Sequence, residues 1–187
     1  ILDAGGLQHV NIEPIAGELT DHYDPRDKVL RLSQGVYGSK SAAAVGIAAH
    51  EAGHALQDTK QYAPLVIRNL AVPAANIGSS LGVLLIFAGL GLMTATTEVA
   101  FGKTVFLIGI VGFGCVAAFQ LVNLPVEFDA SNRAKALLVQ YGIVGQQEMA
   151  PVNSVLNAAA WTYVAATLQS VLTVLYYASF LMGNRDE

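Results

Sequence analysis

Three stretches of this chain are almost wholly apolar and carry no formal charge, and they set most of the expected architecture. Between Arg68 and Glu98 no charged residue occurs, and the centre of that stretch, IGSSLGVLLIFAGLGLMTA from Ile77 to Ala95, matches the roughly 20 residues a bilayer crossing needs. The second runs from Thr104 to Val126 as TVFLIGIVGFGCVAAFQLVNLPV, and the third from Met149 to Asn184, most apolar between Val155 and Met182. Buried helices of water-soluble domains are usually shorter. The pattern therefore predicts membrane helices at about 70–95, 104–124 and 155–182. Small residues sit where such helices would pack: Gly78 and Gly82 form a GxxxG, Gly114 and Ala118 continue the spacing in the second span, and Ala158 to Ala160 with Ala165 and Ala166 line the third. Pro125 reads as the first position of a separate helix, VEFDASNRAKALLVQYG, with Gly142 as its C-cap, giving an intervening helix at 125–142.

Ahead of the first span the period changes. VNIEPI and KVLRLS alternate apolar and polar residues, and Asp24-Pro25-Arg26-Asp27 after LTDHY is a turn signal, so Val10 to Ser33 predicts a small antiparallel hairpin. The opening ILDAGGL reads as a helix ending at Gly5 and Gly6. Ser41 to Gln57, SAAAVGIAAHEAGHALQ, predicts a helix of small residues with Ser39 or Ser41 as its N-cap.

Composition agrees with the membrane reading. Hydrophobic residues make up 53%, charged residues 13%, and the mean hydropathy is +0.49. A net charge of −4 offers no basic surface for nucleic acid. Arg26, Lys28, Arg31, Lys40, Lys60 and Arg68 precede the first span and Arg133 and Lys135 follow the second, whereas the stretch from Met93 to Lys103 carries one lysine. The positive-inside tendency then puts the segment before the first span on the cytoplasmic side. Cys115, the single cysteine, can form no internal disulfide and is expected as a small buried apolar residue.

The chemistry lies in His50-Glu51-Ala52-Gly53-His54. Positions i and i+4 share a helix face, so both imidazoles can reach one zinc ion, and Glu51 beside them can take a proton from water activated there. Gly53 is expected to keep the space beside the metal open. Such a site needs a third protein ligand. Glu127, at the end of the second span, is the candidate, since a carboxylate at that depth needs a metal or a partner. Asp129, Ser131 and Arg133 follow on the same helix, and i+4 spacing puts Ser131 on the Glu127 face, from where it or a neighbour can orient a zinc histidine. His22, Tyr23 and Asp24 are the hairpin residues expected nearest the site. Tyr163, Tyr23, His22 and Asn157 are candidate donors to a developing oxyanion.

The strings LTDHYDPRDKVLRLS, AAHEAGHALQ, LPVEFDASNRA and VLNAAAWTYVAA, in this order, resemble the YugP-type neutral zinc metallopeptidases of bacterial membranes, from about Ile1 to Met182. The HExxH followed by a later EF-x-A segment is also similar to the gluzincin membrane proteases, including the CAAX prenyl proteases. That likeness implies zinc held by His50, His54 and Glu127, Glu51 as general base, a bacterial cytoplasmic membrane as location, and a membrane helix ahead of the present Ile1. One departure stands out. Those relatives carry an Asp four residues after the ligand Glu, where this chain has Ser131, so carboxylate support for a zinc histidine is missing or comes from Asp129 or elsewhere. HEAGHA also resembles ATP-driven membrane proteases, but their GxxxxGK[ST] loop has Thr97 in place of its first glycine here and Gly102-Lys103-Thr104 is expected in a loop between spans, so no nucleotide is expected. Intramembrane site-2 proteases use an Asp-Gly pair that this sequence lacks.

The expected fold is thus a mainly α integral membrane protein: a transmembrane helical bundle with a cytoplasmic HExxH zinc helix and a small β-hairpin. Residues 1–63 hold the hairpin and zinc helix, residues 64–187 the membrane helices, and together they act as one catalytic unit. The expected function is a membrane-embedded zinc endopeptidase acting on peptide or membrane-protein substrates. The alternative is a non-catalytic membrane protein whose zinc, closed by a fourth ligand such as His22 or Asp24, staples the cytoplasmic segment to the bundle. No residue pattern bears on oligomeric state.

Overall fold

A computed structural model describes residues 1–95 and 99–182. Three strands, β1 (Asn11–Ile15), β2 (His22–Asp24) and β3 (Val29–Ser33), precede the helices α1 (Gln34–Tyr37), α2 (Ala42–Thr59), α3 (Ala63–Ile77), α4 (Val83–Ala95), α5 (Val99–Gln140) and α6 (Met149–Met182). The chain forms two compact units, one of residues 1–66 with 125–162 and the other of residues 67–124 with 163–187.

In the first unit, the expected hairpin is one strand short of the truth. The sheet order is β1-β3-β2, with β3 in the centre. VNIEPI and KVLRLS do pair, but in parallel, with Asn11 opposite Val29 and Ile15 opposite Ser33. The antiparallel partner of β3 is the three-residue β2, Tyr23 opposite Leu30. The turn at 24–27 was therefore correctly placed but joins β2 to β3. Asp24 Oδ1 accepts from the backbone N–H groups of Arg26 and Asp27, and Arg31 reaches back to Asp24 Oδ2 and Asp27, fastening that turn. A strand of three residues gives too few alternations to be seen by period, and β1, an edge strand, tolerates Pro14 because its outer N–H positions need no partner.

The N-terminal helix signal is a single 3-10 turn, Asp3–Gly5, ended by Gly6 at φ 76°. Ser41 caps α2, its hydroxyl accepting from the Ala44 N–H at 3.2 Å, while Ser39 donates to the Ser41 hydroxyl. The α2 helix is packed on two sides. Ala52, Ala55 and Leu56 meet Leu2, Leu7, Val10 and Leu30, and Ala49 meets Ala134, Leu138, Val144, Met149, Val152 and Leu156. Its small side chains admit these neighbours: a Cβ on Gly46 would lie 3.2 Å from Val152 Cγ1.

The separate helix expected at 125–142 does not exist. Pro125 lies inside α5, which runs unbroken for 42 residues. Proline at a helix interior costs about 3 kcal/mol, but ending one helix and starting another would leave up to eight terminal backbone groups to satisfy. The expected end is right: after Gln140, Gly142 takes φ 62° and Ile143 and Gly142 donate to the carbonyls of Leu138 and Val139, a Schellman closure.

The second unit has a core of a different make. Ile86, Phe106 and Ile110 are its buried centre, with Tyr177 and Leu181 against them, and the helices approach through glycine. Added Cβ atoms at Gly82 and Gly109 would lie 2.8 Å from Phe113 N and 2.5 Å from Ile86 N. The Gly78–Gly82 segment itself winds as a wide π turn between α3 and α4. The expected extension of this seam at Gly114 does not hold, because a side chain there would meet open space; Gly109 and Gly112 face the glycines of the first span instead. Cys115 is exposed, not buried. Gly102-Lys103-Thr104, expected in a loop, lies within α5, and Thr97 is outside the described residues. Three helices, Ala63–Ala95, Val99–Gln140 and Gln146–Leu181, are long and apolar enough to cross a membrane.

Candidate metal centre

The α2 helix carries His50 and His54 on one face, and both are more than nine-tenths buried. The first helical turn after Pro125 brings Glu127 opposite them. Glu127 Oε2 lies 3.1 Å from His50 Nε2 and 3.5 Å from His54 Nε2, and the two rings meet edge to face at 4.7 Å between centroids. Among the described residues, these three form the group able to hold a metal, with one ligand atom from each and all within 4.8 Å of one another.

The donor set fits zinc. Two ligands on a tetrahedral ion at about 2.0–2.1 Å stand about 3.3 Å apart, which is the spacing Glu127 keeps to each imidazole. Two imidazoles and a carboxylate are also the ligand types of catalytic zinc, which keeps a fourth position for water. The electrostatics point the same way. Burial disfavours the charged form of His54, yet the Glu127 carboxylate beside it prevails and sets its pKa above the ordinary histidine value, with the charge of Glu51 adding to the effect. The pocket attracts positive charge.

The far ring nitrogens are also held. His50 Nδ1 lies 3.0 Å from Ser131 Oγ, on the face predicted from i+4 spacing. His54 Nδ1 lies 2.9 Å from Gln57 Oε1. Asp129 touches neither histidine. Its Oδ2 accepts from Gln57 Nε2 at 2.8 Å and from the guanidinium of Arg133, whose cation stands over the Tyr62 ring at 5.8 Å. Gln57 is the residue the sequence reading passed over. Its signal was available: a polar side chain three residues past His54, hence on the same face of the helix; the structure shows it wholly buried.

Glu51 is buried beside the pair, and its Oε2 accepts the backbone N–H of Tyr23 at 3.1 Å. The β2 strand is fastened to α2 a second time where the Tyr23 hydroxyl donates to Asp58 Oδ2 at 2.7 Å. Burial and then Asp58 hold that phenol above its ordinary pKa, and its hydrogen is directed at Asp58. His22 Nδ1 lies 2.7 Å from the Thr20 carbonyl and must donate to it. Asp24 is engaged in its turn with Arg31, and Asn157 accepts from Lys135 Nζ at 2.7 Å. Tyr163 belongs to the second unit.

Gly53 does not leave open space beside the metal. A Cβ there would lie 2.7 Å from the Ala130 carbonyl oxygen and 3.2 Å from Ala130 Cα, so the glycine lets the α5 backbone touch α2 one residue before His54. Gly53→Ala is expected to destabilise the protein by about 1–3 kcal/mol through overpacking and to weaken zinc binding by spreading Glu127 from the histidines. Thermal unfolding and zinc titration of the variant check both effects.

The family model described as "Putative neutral zinc metallopeptidase" matches residues 1–182. The chain belongs to that family. Consistent with membership, it is 43% identical over 187 residues, all of this chain and 80% of the relative, to "Putative membrane protease YugP" of Bacillus subtilis (strain 168). No solved structure matches.

Proposed function

We propose that the protein is a membrane-embedded zinc endopeptidase of the gluzincin type that hydrolyses peptide or membrane-protein substrates at the cytoplasmic face. The observation that carries this reading is the convergence of His50, His54 and Glu127 on one point with Glu51 adjoining. When bound there, zinc would acidify water and polarise a carbonyl. The chain's own groups do the rest. Glu51, aimed by the Tyr23 N–H, accepts the proton from the attacking water and passes it to the leaving amine. Ser131 and Gln57 keep the two imidazoles turned toward Glu127.

Membrane embedding is supported by the surface of the second unit, where Leu70, Leu84, Phe87, Val111 and Leu168 are all more than half exposed; large side chains outside and glycines inside suit helices solvated by acyl chains. The cytoplasmic placement of the site is supported by charge, because seven of the ten Lys and Arg residues (26, 28, 31, 40, 60, 133 and 135) belong to the unit that carries it. The staple reading requires a fourth protein ligand. Among the described residues no further His, Cys, Asp or Glu joins the three, which favours the enzyme.

The test is zinc content and cleavage of a quenched-fluorescence peptide library by the full chain in detergent. We expect about one zinc per chain, loss of cleavage on chelation and recovery on adding zinc back. Protein that holds no zinc under non-chelating conditions, or that cleaves equally well without it, would overturn the reading.

A further inference from the structure

We propose that Gln57 is the positioning residue that holds His54 in the one tautomer able to bind metal through Nε2, and that it does so by relaying the charge of Asp129. The proposal rests on the zinc reading above and deepens it, by assigning what fixes the proton on His54.

Gln57 has no exposed surface, so each polar atom of its amide must be satisfied within the protein. Its nitrogen lies 2.8 Å from the Val126 carbonyl oxygen and 2.8 Å from Asp129 Oδ2. A carbonyl and a carboxylate paired with arginine can only accept. The amide nitrogen gives one hydrogen to each, and the flipped amide would set oxygen against two buried acceptors. The orientation is therefore unique. Oε1 is left facing His54 Nδ1 at 2.9 Å, and since that oxygen can only accept, Nδ1 must carry the hydrogen. The lone pair of the neutral ring then falls on Nε2, the atom that faces Glu127.

The second histidine is held differently. Ser131, against His50 Nδ1, has a hydroxyl that either donates or accepts, so it orients the ring without dictating the proton. Gln57 is the group that dictates. The helices make this economical: Gln57 is three residues past His54 on α2, while Val126 and Asp129 flank Glu127 on α5. One side chain thereby ties the second histidine to both sides of the third ligand. Arg133, four residues past Asp129 and placed over the Tyr62 ring, pairs with the carboxylate and keeps it aimed. No carboxylate contact to the Nδ1 atom of either histidine is needed.

The test is the zinc dissociation constant of the full chain in detergent, measured against a chromophoric chelator, with thermal unfolding of each metal-free form alongside. Gln57→Leu removes the acceptor and should weaken zinc binding by about 10–100-fold. Gln57→Glu alone sets a carboxylate against Asp129 and the Val126 carbonyl and should weaken it at least tenfold. Combining Gln57→Glu with Asp129→Asn exchanges carboxylate and amide: the new amide at 129 can donate to position 57, which still accepts from Nδ1–H, so the pair should bind zinc at least fivefold more tightly than Gln57→Glu alone. A merely structural glutamine would lower metal-free stability without that recovery. Zinc binding by Gln57→Leu within twofold of the unaltered protein, or a pair no tighter than Gln57→Glu alone, overturns the proposal. If the leucine variant does not fold, the single and paired exchanges decide it alone. Failure of the unaltered protein to bind zinc would instead remove the proposed function.

Discussion

Glu51→Gln is expected to reduce peptide hydrolysis by about 10²–10⁴-fold while leaving zinc content unchanged. The substitution is nearly isosteric, and the new amide oxygen can still accept the Tyr23 N–H that now reaches Glu51 Oε2 at 3.1 Å. What disappears is the basic lone pair. At neutral pH a carboxylate takes a proton from water activated at the metal, and an amide does not. Because Glu51 is not one of the three groups converging on the metal position, zinc stoichiometry should stay near one and the metal-free fold should survive. Measured together, turnover and zinc content separate a lost base from a lost site. Hydrolysis by the variant at the rate of the unaltered protein would take Glu51 out of the chemistry.

Glu127→Gln should have the opposite signature: the metal goes first, and activity follows. Glu127 Oε2 is shared between the Nε2 atoms of both histidines, so the change removes one of three protein ligands and the only negative one. If structural zinc sites are worth about 10–16 kcal/mol across their ligands, losing one costs on the order of 3 kcal/mol, or more than a hundredfold in affinity. Removing an ionised partner from a buried histidine also strips the field that now favours its protonated form. The variant should therefore be purified with well under a tenth of the zinc of the unaltered protein and regain cleavage only at high added zinc. Zinc retained at full stoichiometry in Glu127→Gln would place the third ligand elsewhere.

Much of this was legible in the chain because it depends on local period. The i, i+4 spacing put both imidazoles on one face of α2, the Ser41 cap followed from residue type, and Gly142 ended α5 where it was expected. Ser131 on the Glu127 face is the same rule applied to α5, and it meets His50 Nδ1. The misreadings share another cause. By local propensity alone Pro125 reads as a helix start, whereas the helix on either side of it outweighs one missing hydrogen bond. The parallel pairing of β1 with β3 joins strands of widely separated residues, so no turn chemistry between them announces it. Gly53 reads as spare room in one dimension and proves to be the contact point of α2 with the Ala130 carbonyl.

The sequence by itself determined the chemistry on offer: a histidine pair at helical spacing, a neighbouring carboxylate, a later glutamate, and three apolar runs long enough for a bilayer. Helix period and residue type suffice for these, since each lies within a single element. Only tertiary structure decided which partner each group obtains. The meeting of Glu127 with both imidazoles, the Tyr23 N–H on Glu51, and the glutamine that stands between His54 and Asp129 all join positions 28 to 77 residues apart. Such contacts arise from the packing of α2 against α5 and the sheet, and no local preference encodes them.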